Sequence, residues 1–362
     1  MMNRMNIRLS PRRGGIKLKR LGVLAALTGC GLHSGAHQAG LDYSSELQTA
    51  FGREANWVNL LQLQGQLDLT SRLSVRAATI SCATMRECPL LDDLLTYSNI
   101  EESNIPLAIS RLGIGWENDR CNLFAGIGNV NDAFFVTPVT SLFTNSSCGI
   151  FPTLSCNFPI ANFPDASFGI EGEYDFDGVR VNSALYDGRS SHSIVGSGNV
   201  WRLDLKHDGV FNINAVNYDT NDSNYNLGVG VYHGRCDDDD QGASEAEFAS
   251  LAPTPSTQLF YWLYAEQRLA PGLSMIAQFS QCPAIESGCR TFCGGGFAWQ
   301  LDKYDLGVYT CYADFTEAYE WASELTARYR VSDHIELQTS LHYIRNTSAR
   351  GLVGLLRLSL SL

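Results

Sequence analysis

The 362-residue chain is acidic, with 38 Asp and Glu against 26 Lys and Arg and a formal net charge of −12. Seven of the basic residues (Arg4, Arg8, Arg12, Arg13, Lys17, Lys19 and Arg20) lie in residues 1–36, where no acidic residue occurs, which leaves 19 basic against 38 acidic side chains in the remainder. Such a surface repels phosphate backbones, so it excludes a nucleic-acid partner and leaves cations or neutral solutes.

The basic stretch precedes the apolar run "LGVLAALTGCGL" and the small residues Ser34-Gly35-Ala36. Charged region, short apolar core and small-residue site, in that order, predict a secretory signal peptide over residues 1–36. The apolar core is shorter than the roughly 20 residues that a spanning helix needs. "LTGC", Leu27 to Cys30, offers a second reading, a lipoprotein signal ending before Cys30. Residues 37–362 are then one exported domain.

Beyond the leader the chain alternates with period two. In "LQLQGQLDLT", Leu61, Leu63, Leu67 and Leu69 alternate with Gln62, Gln64, Gln66 and Asp68, which places the leucines on one face of an extended strand. The same pattern runs through Phe168–Phe176, Trp321–Val331, Ile335–Tyr343 and Leu356–Leu362. Weaker versions occur near 72–80, 106–117, 121–129, 178–187, 200–208, 209–218, 225–233, 257–268, 271–280, 295–302 and 304–314, and with the five clear segments they make sixteen. Short turns ("YDFDGVRV", "LKHDGVFN", "LAPGLS", "RVSDHI") alternate with long irregular segments (81–105, 130–165, 234–256, 281–294). Aromatic residues crowd strand ends, as in "FYWLY" at Phe260 to Tyr264 and at Tyr309, Tyr312, Tyr319 and Trp321.

These features predict an all-β fold, a transmembrane antiparallel β-barrel of sixteen strands with an apolar outer face, aromatic girdles and a polar lumen. A barrel of that size encloses an aqueous channel. The partners it implies are outer-membrane lipid and the machinery that assembles barrels, with the chain acting as a monomer or homo-oligomer. A secreted lectin-like sandwich and a cysteine-crosslinked structural or adhesive surface barrel are the alternatives that alternation alone leaves open.

One long segment stands apart. Asn145 to Gly169, "NSSCGIFPTLSCNFPIANFPDASFG", is rich in proline and phenylalanine, carries two cysteines and has no basic residue. It does not read as a helix and is long for a turn. Further on, "CDDDDQGASEAE" (Cys236 to Glu247) gathers carboxylates without the spacing of an EF-hand and reads as a solvated loop. Cys282, Cys289 and Cys293 cluster without a CxxC pair or a neighbouring histidine, a poor zinc pattern. No G-x-S-x-G elbow occurs, and nothing in the spacing of the histidines points to catalysis or to a cofactor.

Eleven cysteines, ten without Cys30, fit a disulfide set in an exported protein. Candidate disulfide cysteines are Cys82 with Cys88, Cys148 with Cys156, and Cys282, Cys289 and Cys293.

Leu142 to Gly188 resembles the carbohydrate-selective outer-membrane porins of the OprB type, whose chains carry an N-S-S-x-G-I-x-P element, then F-P, and a closing Y-D-G. Asn145, Ser146, Ser147, Gly149, Ile150 and Pro152 stand in the first element here, Phe163 and Pro164 in the second, and Tyr186, Asp187 and Gly188 in the last. "LFAGIGNVNDAFF" (Leu123 to Phe135) is similar to the entry into the same region. The resemblance implies sixteen strands, a lumen narrowed by inward loops, facilitated diffusion of small sugars and no enzymatic activity. Candidates for the solute pathway are Arg111, Glu171, Glu173, Arg180 and Asn182 on the wet face, with Asn145, Ser146, Phe151, Phe158 and Phe163 in the inward segment. Each has an alternative role, the charges lining a general water-filled lumen and the phenylalanines packing the loop on the wall.

Overall fold

A computed structural model describes residues 37–362, apart from 52–53, 101–102, 136, 138, 197 and 235–255. The segment expected as a signal peptide (1–36), Cys30, Cys236 and the acidic stretch 236–247 lie outside the described residues. Sixteen strands follow one another: β1 (His37–Ala50), β2 (Ala55–Asp68), β3 (Leu73–Thr84), β4 (Ile105–Glu117), β5 (Cys121–Gly128), β6 (Ser167–Asp175), β7 (Val179–Asp187) and β8 (Val210–Asp219). The second half comprises β9 (Ser223–Gly234), β10 (Ser256–Ala270), β11 (Leu273–Gln281), β12 (Cys289–Gln300), β13 (Tyr304–Phe315), β14 (Tyr319–Ser332), β15 (Ile335–Asn346) and β16 (Arg350–Ser361). Each pairs antiparallel with its sequence neighbours, and β1 pairs with β16 to close the barrel. The seam ends on backbone hydrogen bonds in both directions between Leu41 and Leu362, at 2.9 and 2.8 Å. A closed sheet excludes the lectin-like sandwich.

One rim carries only turns of two to four residues. The β6–β7 turn shows why they can be so short: Asp177 and Gly178 both take positive φ, 59° and 108°, the twist that a tight hairpin needs. The other rim carries the long connections 85–104, 129–166 and 188–209. Among the described residues no helix is long and apolar enough to cross a membrane.

The period-two pattern resolves into two faces. Outward residues such as Leu63, Leu227, Leu263, Leu325, Leu341 and Leu356 form an exposed apolar belt. Aromatic rings border it at both rims, with Trp299, Tyr304, Tyr218 and Tyr225 on the short-turn side and Trp57, Tyr312 and Trp321 on the long-loop side. Water does not tolerate a continuous belt of this kind on a monomer, whereas a bilayer requires it.

Sixteen is the expected number, but two errors cancel in reaching it. β1 escapes the alternation because Ser45 and Thr49 stand among its outward residues. Residues 200–208, expected as a strand, are an unpaired stretch of the connection 188–209. For the same reason "LKHDGVFN" is no short turn: it closes that long connection and feeds β8.

The lumen is not uniformly wet. Phe260, Trp262 and Tyr264 of β10 point inward and are buried, and only Tyr261 and Leu263 of "FYWLY" face out, so this motif is mostly packing and not girdle. They join Phe211, Tyr232, Phe292 and Tyr309 against loop residues Val130, Phe135, Leu142, Phe143, Phe151, Leu154 and Phe158 in one buried cluster. Glycine makes this possible on β9, where a Cβ at Gly228 or Gly230 would collide with the rings of Trp262 and Phe260. The loops therefore fold into the barrel and pack there as a core.

Candidate functional site

Loop 129–166 enters through α1 (Val130–Phe134), whose N-cap Asn129 accepts from the Asp132 amide. Two 3₁₀ turns, Thr140–Leu142 and Ser146–Cys148, lead to α2 (Pro152–Ser155). The proline-rich segment thus contains single helical turns only, as its composition requires.

Wall side chains hold this loop by its backbone. Glu324 of β14 accepts from the Thr144 amide (2.9 Å), the Thr144 hydroxyl (3.0 Å) and the Asn145 amide (3.0 Å). Glu320, four residues earlier on the same face, accepts from the amides of Leu94 (2.6 Å) and Leu95 (3.3 Å) in the other inward loop, 85–104, and from Asn346 Nδ2 (2.9 Å). Gln338 donates to the Leu142 carbonyl and Gln278 to the Cys148 carbonyl. A buried carboxylate is tolerated where several N–H groups converge on it, and orphan loop amides need such acceptors. Sequence reasoning placed Glu324, Gln338 and His342 on the wet face without seeing that they clamp a loop. Their shared inward parity was the available signal.

The expected cysteine staple does not form. None of the nine described cysteines takes part in a disulfide. Cys148 is buried, its carbonyl on Gln278, whereas the Cys156 thiol, after the α2 turn, faces the Leu94 carbonyl at 4.0 Å. Cys82 lies in the inward cluster of Val58, Ile80 and Ile105 while Cys88 is exposed in loop 85–104. On β12 a bulge between Cys289 and Thr291 breaks the alternation, so Cys289 is buried while Cys293, four residues on, is exposed toward lipid, and Cys282 is buried beyond the end of β11. Burial also pushes the Cys148 thiol well up, so it stays protonated and unreactive at neutral pH. A water-soluble maleimide is expected to label Cys88 on the native protein and Cys148 only after unfolding, with identical gel migration with and without reductant. Reductant-dependent migration of the monomer would contradict this arrangement.

Between the inward loop and the short-turn rim lies a cavity of about 970 Å³. Six of the expected pathway residues line it: Arg111, Glu171, Glu173, Arg180 and Asn182 on the wall and Phe151 in the loop. Arg111 of β4 reaches both oxygens of Glu171 on β6, at 3.3 and 2.7 Å, and its guanidinium lies 3.7 Å from the centroid of Phe124. Tyr186 donates to the same Glu171 carboxylate at 3.0 Å, and Asp132 of α1 approaches Arg111 at 3.9 Å. This pair is therefore planar, stacked and preorganised. Gly128 is needed beside it, since a Cβ there would meet Glu171 Oε1.

A second set follows along the wall. Arg180 donates through Nε to Asp219 at 2.9 Å and stands 3.7 Å from Glu173. Above it runs a row of amides, one per strand from β7 to β9, in which Asn217 donates to Asn182 (3.1 Å), Asn226 donates to Asn217, and the Trp262 indole donates to Asn226. Asn182 also ties the wall to α1 through the Ala133 carbonyl at 3.2 Å. An amide has two donor hydrogens and two acceptor sites, so Asn217 and Asn226, each with one bond donated and one accepted in the row, keep capacity for a solute, whereas Asn182 spends both donor hydrogens on Ala133 and Glu173.

The base of the cavity is aromatic, built by Phe134, Phe135, Phe151 and Trp262. Phe151 is only 2 % exposed and packs against Phe135, Trp262 and Phe292, so it offers an edge and not a free face. The other four expected residues lie off the cavity. Phe158 stacks on Tyr232 with ring centroids 4.9 Å apart, and Phe163 packs on the cluster of β2 to β4. Asn145 caps the 3₁₀ turn by accepting from Ser147, and the Ser146 amide donates to the Thr96 carbonyl. Packing claimed these side chains because a loop inside a barrel must bury its own apolar residues. Sequence reasoning missed Phe135, Trp262, Asn217, Asn226 and Asp219, whose role depends on which strands become neighbours.

No family model and no curated protein sequence matches the chain. Solved structures do. The high-pH structure of Pseudomonas putida OprB superposes with a TM-score of 0.69 at 14% identity, covering 90% of this chain and 94% of that one. A loop-deletion variant of OmpT, an outer-membrane protein of Vibrio cholerae, gives a TM-score of 0.60 at 8% identity over 91% and 100% of the two chains. A variant of the Rh. blastica porin gives 0.56 at 11% identity over 90% and 100%. The fold is thus that of the sixteen-stranded outer-membrane porins.

Proposed function

We propose that this chain is a bacterial outer-membrane porin that passes small neutral polar solutes, sugars before others, by diffusion through its lumen, and that it carries out no catalysis. The observation that carries the reading is the cavity in which two arginine–carboxylate sets and a row of amides stand over an aromatic base. A sugar entering a narrow passage loses water hydrogen bonds, and paired charges and amides replace them. The aromatic base gives apolar contact to the C–H faces, and because both arginines are already paired with carboxylates, binding stays weak enough for exit. Because Arg111 and Arg180 are each neutralised by a carboxylate, the site favours uncharged polyols over anions.

Liposome swelling tests this. Neutral sugars are expected to enter faster than amino acids and charged solutes of matched size. Equal rates reduce the reading to a general pore, and no entry at all overturns it. Arg180→Ala is expected to change sugar entry by about threefold, the effect of a hydrogen bond worth somewhat under 1 kcal/mol at a half-exposed ion pair. The heat-modifiable band of the folded barrel should persist, and loss of that band would mark Arg180 as structural instead.

A further inference from the structure

The connection 188–209 does not stand up into water or turn into the lumen. Val200 (2 % exposed) and Ile194 pack on Ile127, Phe168, Ile109 and Leu112. Those four are outward residues: Phe124 and Glu171 face the cavity, and the register pairs Ile127 with Leu112 and with Phe168 on the opposite face. The connection is therefore folded down over the outside of β4 to β6. It is fastened at its base by Gly188 N to Gly209 O (3.1 Å), by the Asp204 amide on Asp187 (2.9 Å) and by Arg202 on Asp208 (3.0 Å). Beyond this footing, Trp201, Leu203 and Leu205 alternate with Arg202 and Asp204, and the three apolar residues are 46 %, 58 % and 51 % exposed. That alternation is why the stretch reads as a strand although it pairs with nothing in the sheet.

Of the strands beneath, β4 has 13 residues, but β5 and β6 are among the shortest in the barrel. β5 has 8 residues and β6 and β7 have 9 each, whereas β10 has 15. At about 3.4 Å per residue and a tilt of about 40°, β5 rises roughly 21 Å along the barrel axis, less than the apolar band of about 25 Å that such barrels present. We propose that residues 194–196 and 198–205 form a strap that completes the lipid-facing belt over β4 to β6, with Trp201, Leu203 and Leu205 seated in the outer boundary of the bilayer. The occupant is lipid because the strap continues, on the same outer face, the exposed apolar belt of Ile114, Leu123, Ile170 and Leu185. An indole whose N–H is already satisfied, here by the Ile194 carbonyl at 3.2 Å, suits that boundary.

The inference rests on the membrane reading above, and the test separates the two. Intact protein and its Trp201→Phe variant are reconstituted in vesicles containing phosphatidylcholine brominated close to the headgroup, and the difference in emission isolates Trp201. Strong quenching by the brominated lipid, with protection from aqueous iodide, is expected. Iodide quenching would overturn the strap, and protection from both quenchers would assign the surface to a second copy of the chain and overturn it equally. Trp299 and Trp321 remain in the Trp201→Phe protein and report insertion of the barrel: if they too escape the lipid quencher, the membrane placement falls and the strap with it. The double change Leu203→Asp with Leu205→Asp should abolish lipid quenching of Trp201 while Trp299 and Trp321 keep theirs. Persistence of the Trp201 signal would contradict the role given to these leucines.

Discussion

Glu324→Ala raises single-channel conductance and makes it noisy, because it releases the inward loop without touching the barrel's outer wall. The carboxylate is 1 % exposed and accepts three hydrogen bonds from Thr144 and Asn145, themselves 1 % and 3 % exposed. Its removal strands those donors in a dry lumen, at a cost of about 3–5 kcal/mol to the docked loop. His342, whose Nε2 lies 2.9 Å from the Thr144 hydroxyl, cannot replace an acceptor for two amides. A barrel freed of its loop approaches the open lumen of sixteen strands, and conductance is expected to rise by about twofold or more. Glu324→Gln keeps one acceptor oxygen and should fall between. Protease sensitivity of the loop in the folded protein should follow the same order, and unchanged conductance in Glu324→Ala would mean that the loop is held by packing alone.

Arg111→Ala has the largest effect on selectivity. Arg111 and Glu171 neutralise each other with side chains 16 % and 11 % exposed, and Tyr186 alone is left on the carboxylate when the guanidinium goes. Two consequences follow. Sugar entry falls about tenfold with the loss of charge-assisted donors worth at least 1.4 kcal/mol. The cavity, which then keeps Glu171, Glu173, Asp132 and Asp219 against fewer cations, becomes more cation-selective in reversal-potential measurements. Adding Glu171→Gln should restore the ion selectivity and not the sugar entry. Recovery of both would show that Arg111 acts only by balancing charge.

The barrel was legible in the sequence because one physical period governs every strand: a wall with lipid on one side must alternate. Leu61 to Leu69 and Leu356 to Leu362 show it cleanly. It failed where another surface takes over the outward or inward role. Trp201, Leu203 and Leu205 alternate for the same lipid-facing reason as a strand but on an unpaired connection, and the inward rings of Phe260, Trp262 and Tyr309 are apolar because a loop, not water, covers them. That Arg111, Glu171, Glu173, Arg180 and Asn182 line the cavity was legible because charges and amides on the wet face must point into the lumen. Phe158, Phe163 and Asn145 could not be told from pathway residues, since whether a loop side chain faces the opening or the wall depends on contacts with strands distant in sequence. The cysteines misled for a related reason: Cys148 and Cys156 are close along the chain, but the α2 turn sends their thiols to different neighbours.

Ion current through single barrels in a planar bilayer, with a neutral hexose titrated on one side, tests the central claim most directly. The account predicts discrete pores whose current falls reversibly and saturably with hexose, weakly with a size-matched zwitterionic amino acid, and without saturation in Arg111→Ala. Pores that respond to both solutes only through viscosity, or a folded barrel that forms no pores, would contradict it.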